Sequence, residues 1–128
     1  MKRIFFLVLT GLFCSCTQQY FFPGDWEARD SSGGYAEFAV YDNFIQIYTD
    51  VAGQIPSWDY KINGDSLRTS ALHYKMDWVK KDSLVLRNEI FTIYLRRIKS
   101  GNCLSEVEGQ PENYQPYIDS FFERRNKE

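Results

Sequence analysis

The sequence has little of the chemistry that catalysis requires. It contains one histidine, His73, and no Ser-His-Asp, Cys-His or metal-spaced group of side chains accompanies it. The Gly33-Gly34 pair lacks the helix and lysine of a phosphate-binding loop. Because acid–base, nucleophilic and metal-assisted catalysis need such groups, we expect no enzymatic activity, no metal and no cofactor.

The charge balance and the short hydrophobic runs exclude two further classes. The chain has 15 basic and 17 acidic side chains, so it lacks the positive field that attracts nucleic acid. The main apolar run ends at about residue 13, and it is too short for the roughly 20 residues of a membrane-spanning helix. We therefore expect no nucleic-acid partner and no spanning helix.

The first 16 residues have the organisation of an export signal. Positive charge at Lys2 and Arg3 precedes the apolar run, and a small residue, Ser15, directly precedes Cys16. This pattern resembles a bacterial lipoprotein signal. The other interpretations are a plain secretory leader, a single membrane anchor and a buried core helix.

The lipoprotein resemblance implies a division of the N-terminal region and a location. Residues 1–15 would be the signal peptide, Cys16 would be lipidated, for example with palmitate, and residues 16–23 would form a tether. The membrane is then a partner through the lipid anchor. We expect the protein in the cell envelope, at the outer membrane facing the periplasm.

Cysteine is scarce once such a signal is removed. Cys14 would leave with the leader and Cys16 would carry lipid, which leaves Cys103 as the one free thiol. No internal disulfide is then possible, so the domain must be stabilised by packing. Aromatic residues make up 17% of the chain, and large rings bury much area at few positions.

Residues 24–99 read as short strands separated by turn residues, at the spacing of an up-and-down antiparallel sheet. Phe38 and Val40 alternate with Glu37, and Asn63-Gly64-Asp65 is the strongest hairpin signal. A loop is predicted over residues 50–56. Eight strands are predicted, at about residues 25–30, 35–41, 44–49, 58–62, 67–71, 74–78, 84–86 and 90–98.

Residues 100–128 have a different pattern. Residues 101–110 are polar and predict a linker, and Pro116 is tolerated only in the first turn of a helix that follows. We expect this amphipathic helix to pack on the outside of the sheet, with a partner-binding or membrane-surface helix as alternatives. Its apolar stripe has helical spacing and consists of Tyr114, Tyr117, Ile118, Phe121 and Phe122.

The order of these segments resembles the lipocalin-like lipoproteins of Bacteroidetes-type bacteria over residues 24–98. Gly24 and Trp26 match the Gly-x-Trp of the first strand, and Arg97 matches the arginine of the last strand. The resemblance implies an all-β fold, a small eight-stranded antiparallel up-and-down barrel over residues 24–99. It also implies that Trp26 closes one end of the barrel and that Arg97 stacks over its ring, a cation–π contact.

Two functional hypotheses follow. The first is a membrane-anchored barrel that binds a small apolar or amphipathic ligand in its mouth. The same rings serve equally well as plain core, because alternating aromatic positions are typical of any such sheet. The candidate lining residues are Phe38, Trp58, Tyr60, Met76 and Trp78.

The second hypothesis is a non-enzymatic protein-interaction module, such as an accessory subunit of an envelope complex. Ser32-Gly33-Gly34-Tyr35 resembles, one residue short, the Ser-Gly-x-x-Tyr loop of lipoprotein inhibitors of lysozyme. The resemblance implies an envelope protein as partner. Those inhibitors generally contain a disulfide, which the mature chain would lack.

Overall fold

The strands close into a barrel. A computed structural model describes residues Tyr20–Lys127, and within them each of eight strands pairs antiparallel with its neighbours in sequence, while β1 also pairs with β8. The predicted all-β up-and-down barrel with one C-terminal helix is confirmed. The elements are β1 Gly24–Asp30, β2 Tyr35–Val40, β3 Phe44–Thr49, β4 Gly53–Asn63, β5 Ser66–Thr69, β6 His73–Lys80, β7 Ser83–Arg87, β8 Thr92–Arg97 and α1 Tyr114–Arg125.

The connections define two ends of the barrel. The β1–β2, β3–β4, β5–β6 and β7–β8 loops lie at the end that we call the upper end. The β2–β3, β4–β5 and β6–β7 turns lie at the lower end, together with the start of β1 and the end of β8.

Alternate side chains of each strand point into the barrel, as strand geometry requires. Along β2, Phe38 and Val40 belong to the interior cluster, whereas Tyr35 and Ala39 belong to a cluster on the outer wall. The buried interior consists of Phe22, Trp26, Ala28, Phe38, Val40, Ile45, Ile47, Tyr60, Leu67, Tyr74, Met76, Leu84, Leu86 and Leu95.

The start of β4 differs from the prediction. A loop was expected over residues 50–56, but β4 begins at Gly53. The register against β3 shifts between Ile45 and Ile47, so Pro56 falls in a β-bulge. A bulge leaves a residue outside the hydrogen-bond ladder, which accommodates a proline that has no N–H.

The segment 101–110, expected to be a polar linker, packs on the barrel. Cys103 and Leu104 are buried, and a 3-10 turn begins at Leu104. Ser105 donates hydrogen bonds from its backbone N and Oγ to the Asp25 carboxylate, at 3.1 and 2.6 Å. Burial raises the pKa of Asp25, and these hydrogen bonds offset part of the rise.

Helix α1 covers the outer faces of β2 and β3, as predicted, but Tyr114 and Phe122 of its predicted apolar stripe are exposed. Tyr117 and Phe121 are fully buried and pack against Tyr35 and Tyr48. Pro116 lies in the first turn, where the helix needs no N–H from it.

A buried ion pair holds α1 on the wall. Glu37 of β2 is fully buried, and Arg124 donates to it from Nε and Nη2 at 2.8 and 2.9 Å. The hydroxyls of Tyr35 and Tyr117 also donate to Glu37, so the carboxylate is fully hydrogen-bonded, as burial of a charge requires. Burial lowers the pKa of Arg124, but the hydrogen bond and charge of Glu37 outweigh it and the net shift is upward.

Candidate functional site

Aromatic side chains close the lower end of the barrel. Trp26 is fully buried, and the guanidinium carbon of Arg97 lies 4.1 Å from the centroid of its ring. Phe22 packs beside the indole, and Trp26 Nε1 donates to the Phe22 carbonyl at 2.9 Å. The structure thus places the pair implied by the family resemblance, Trp26 and Arg97, together across one end.

Arg97 also binds the chain segment that precedes β1. Its Nη1 donates to the Pro23 carbonyl at 3.1 Å, and its Nη2 donates to the carbonyls of Phe21 and Lys81 at 2.6 and 3.2 Å. Residues 20–23, which the sequence assigns to the tether, are therefore packed against the lower end of the barrel.

Gly24 allows this close approach. Its φ of +137° is a conformation that side chains rarely adopt, and a Cβ built on it would lie 2.6 Å from Arg97 Nη1. Any side chain at this position would displace the guanidinium from its place over the indole. The positive φ and the contact with Arg97 therefore explain why the first residue of the Gly-x-Trp motif is a glycine.

Three of the predicted lining residues lie in the filled part of the barrel. Tyr60 packs edge-on against Phe22, with ring centroids 5.5 Å apart, and Trp78 lies 5.9 Å from Trp26. Met76 is buried in the same cluster. Tyr60, Met76 and Trp78 do not line the cavity at the upper end. Their positions fit the alternative interpretation, in which these side chains are part of the packed core.

The upper end contains an apolar cavity of about 370 Å³. Two of the predicted lining residues, Phe38 and Trp58, form part of its wall, with ring centroids 6.4 Å apart. Ala28 and Ala36 also line it and face each other across β1 and β2. The other apolar residues that line it are Tyr35, Ile47, Val51, Ile55 and Ile93.

The cavity results from the register between β1 and β2, which determines which side chains lie opposite each other. One step toward the lower end, the opposed residues of β1 and β2 are Trp26 and Phe38, which fill the interior. At the upper end Ala28 and Ala36 are opposed, and two methyl groups leave the space empty. Alternation along β2 predicts that Ala36 faces inward with Phe38, but its pairing with Ala28 depends on the register, which local patterns do not give.

Polar groups lie at the rim of this cavity. Asp30 Oδ1 accepts hydrogen bonds from Ser32 N, Ser32 Oγ and Gly34 N at 3.0, 2.7 and 2.8 Å. These bonds lower the pKa of Asp30. Asp50 Oδ2 accepts a hydrogen bond from Arg125 Nε at 2.6 Å.

The loop that resembles lysozyme inhibitors does not present its tyrosine. Ser32 and Gly34 are engaged with Asp30, and Tyr35 is 4% exposed, beneath helix α1. A partner could not reach the Tyr35 ring without removing the helix. The structure therefore adds no support to an inhibitor-like loop.

The remaining candidate groups are a buried thiol and an exposed imidazole. Burial raises the pKa of the Cys103 thiol to about 12, so it stays protonated at neutral pH, and His73 is exposed at the start of β6. Within residues Tyr20–Lys127, no group of His, Cys, Asp and Glu side chains could hold a metal ion. The same range contains no helix long and apolar enough to cross a membrane.

Comparisons with protein-family models, curated proteins and solved structures find no match to this chain. The predicted signal peptide over residues 1–15, the predicted lipidation site Cys16 and the predicted tether residues up to 19 lie outside the residues that the structure describes.

Proposed function

We propose that this chain is a lipid-anchored envelope protein, non-enzymatic and lipocalin-like, that binds a small apolar or amphipathic molecule in the mouth of its barrel. The observation that carries the proposal is the apolar cavity of about 370 Å³ at the upper end. This volume falls at the small end of the roughly 300–1,000 Å³ that ligand pockets occupy. A ligand about the size of a two-ring aromatic or a short alkyl chain suits it.

The anchor and the cavity would face opposite ways. Tyr20 packs on Trp78 at the lower end, with ring centroids 5.4 Å apart, and Cys16 precedes it by four residues. Four residues reach at most about 14 Å. An acyl chain on Cys16 would therefore hold the closed end near the bilayer and leave the mouth facing the aqueous compartment.

The binding test uses the full chain in phosphatidylcholine nanodiscs, so that no detergent competes for the cavity. The protein is labelled with fluorotryptophan, because only Trp58 of the three tryptophans lines the cavity. Titration with naphthylmethanol should shift the fluorine resonance of Trp58 saturably. Trp26 and Trp78, at the lower end, are internal controls.

A cavity-filling variant makes the result specific. Ala36→Leu places extra carbons in the cavity and should weaken binding at least tenfold. Ala71→Leu, in an exposed part of the β5–β6 loop, is the matched control and should bind as the wild type does. A Trp58 resonance that does not move at saturating naphthylmethanol contradicts the proposed function.

Anchoring has its own test. In cells given labelled palmitate, the wild-type protein should incorporate the label and fractionate with the envelope. Cys16→Ala should lose both properties, whereas Cys103→Ala should keep them. Label incorporated equally by the Cys16→Ala variant would contradict an anchor at this cysteine.

A further inference from the structure

The loops at the upper end of the barrel contain acidic side chains and no basic ones. The four upper loops, residues 31–34, 50–52, 70–72 and 88–91, contain Asp50 and Glu89 but no lysine or arginine. Asp30, the last residue of β1, adds a third carboxylate, whereas Arg87, the last residue of β7 at the same end, pairs with Asp77. At the lower end, Arg97 and Lys99 lie beside Asp82, so the carboxylate there is paired with basic side chains.

Two of these carboxylates line the cavity itself. Asp30 and Asp50 are the charged side chains among the residues that form its wall and rim. The hydrogen bonds to Asp30 come from neutral donors in its own loop, so its negative charge is not compensated. Asp50 is compensated in part, because Arg125 of helix α1 pairs with it from outside the cavity.

The apolar wall of the cavity strengthens the electrostatic effect of the Asp30 carboxylate. A carboxylate beside an apolar wall is less screened than one surrounded by water, and a cleft lined by one sign of charge concentrates ions of the other sign. A ligand whose apolar part occupies the cavity would place its polar group at the rim, beside Asp30. An ammonium group would be attracted there and a carboxylate group would be repelled.

We propose that the mouth selects an apolar molecule bearing one cationic group, such as an aromatic or alkyl amine, over its anionic counterpart. The inference rests on the proposed function and specifies the chemical class of the ligand. Asp30 is the main determinant of the selection. Asp50 contributes less because Arg125 opposes it.

Three probes with one apolar body test the selection. Naphthylmethylamine, naphthylmethanol and naphthoate are titrated into the full chain in nanodiscs, with the Trp58 fluorine resonance as the readout. The amine should bind about three- to tenfold more tightly than the alcohol, and naphthoate more weakly by a similar factor, as expected for unit charges a few ångströms apart near a protein surface.

Two variants should change the selection in opposite directions. Asp30→Asn should reduce the preference for the amine to less than about twofold, and Arg125→Gln should increase it by exposing Asp50. Asp59→Asn, which removes one negative charge from an exposed site on β4, should leave the preference unchanged. In case Asp30→Asn alters its loop, raising the salt concentration on the wild type should reduce the preference as well.

The outcomes separate the two proposals. Binding of the alcohol together with equal or tighter binding of naphthoate overturns the cation selection and leaves the proposed function standing. Failure of all three probes to shift Trp58 overturns the proposed function, and the selection falls with it.

Discussion

The two ends of this barrel are built from the same strands but have opposite properties. At the lower end Trp26 and Phe22 fill the interior. Trp26 and Arg97 donate hydrogen bonds to the carbonyls of residues 21–23, the segment that crosses this end. At the upper end Ala28 and Ala36 leave a cavity with carboxylates at its rim. One up-and-down barrel can therefore have a filled interior at one end and an apolar cavity at the other.

The sharpest test of this comparison uses one tryptophan from each end. Trp26→Ala removes a fully buried indole and should lower the free energy of unfolding by about 3–5 kcal/mol. Trp58→Ala, at the half-buried mouth, should cost about 1–2 kcal/mol because part of its ring is already in water. Denaturant unfolding measures both, and equal losses would contradict the division of roles.

Two adjacent arginines of helix α1, on the outer wall, allow a buried ion pair to be compared with a more exposed one. Arg124→Leu leaves Glu37 buried without its charged partner and should cost about 3–5 kcal/mol. Arg125→Gln removes a partly exposed pair with Asp50 and the contacts of the guanidinium with Asn126 and the Phe122 ring. It should cost less than about 1 kcal/mol. If denaturant midpoints shift equally for these adjacent arginines, the buried pair is not what holds α1 in place.

Two glycines with positive φ, one at each end of the barrel, differ in how closely other atoms approach them. Gly24→Ala combines a φ of +137° with the contact to Arg97 and should cost about 1–3 kcal/mol. Gly33→Ala, in the upper β1–β2 loop, has a φ of +95° and no atom within 4 Å of the added Cβ. The alanine at position 33 would therefore experience conformational strain but no close contact. Thermal unfolding measures the loss of stability in both variants, and a larger loss for Gly33→Ala than for Gly24→Ala would contradict the role assigned to Arg97.

The smallest expected effect concerns pH at the mouth. Hydrogen bonds from Ser32 and Gly34 lower the pKa of Asp30 in the folded state, so the ionised carboxylate favours folding. That contribution is present above the unfolded pKa of about 4 and is lost as the pH falls through the folded value. Because Asp30 is only half-buried, solvent screens part of its charge. The stability difference between wild type and Asp30→Asn should therefore stay under about 1 kcal/mol and vanish in acid. A difference that grows on acidification would contradict this assignment.

Much of the fold was accessible from local patterns. Alternation along β2 identified Phe38 and Val40 as interior residues, and turn residues separated the strands. The extension of β4 was missed because Pro56 argues against a strand unless a bulge accommodates it. The bulge depends on β3, so no local pattern could reveal it.

The candidate site was only partly accessible from sequence. Phe38 and Trp58 are predicted as lining residues because they are aromatic residues on predicted strands. Ala28 and Ala36 are not predicted, because a small side chain marks a cavity only when its cross-strand neighbour is also small. Glu37 was expected on the outer face. Its partner, Arg124, is 87 residues away in the chain, and local patterns contain no information about such a contact.

By itself the sequence determined the number and direction of the strands, the inward positions and the amphipathic helix, because alternation, turn chemistry and helical spacing act over a few residues. Only the tertiary structure decided which inward side chains meet. Cross-strand register opposes Trp26 to Phe38 at one height and Ala28 to Ala36 at the next. Since packing depends on the sum of facing volumes, the filled floor and the open mouth are consequences of register.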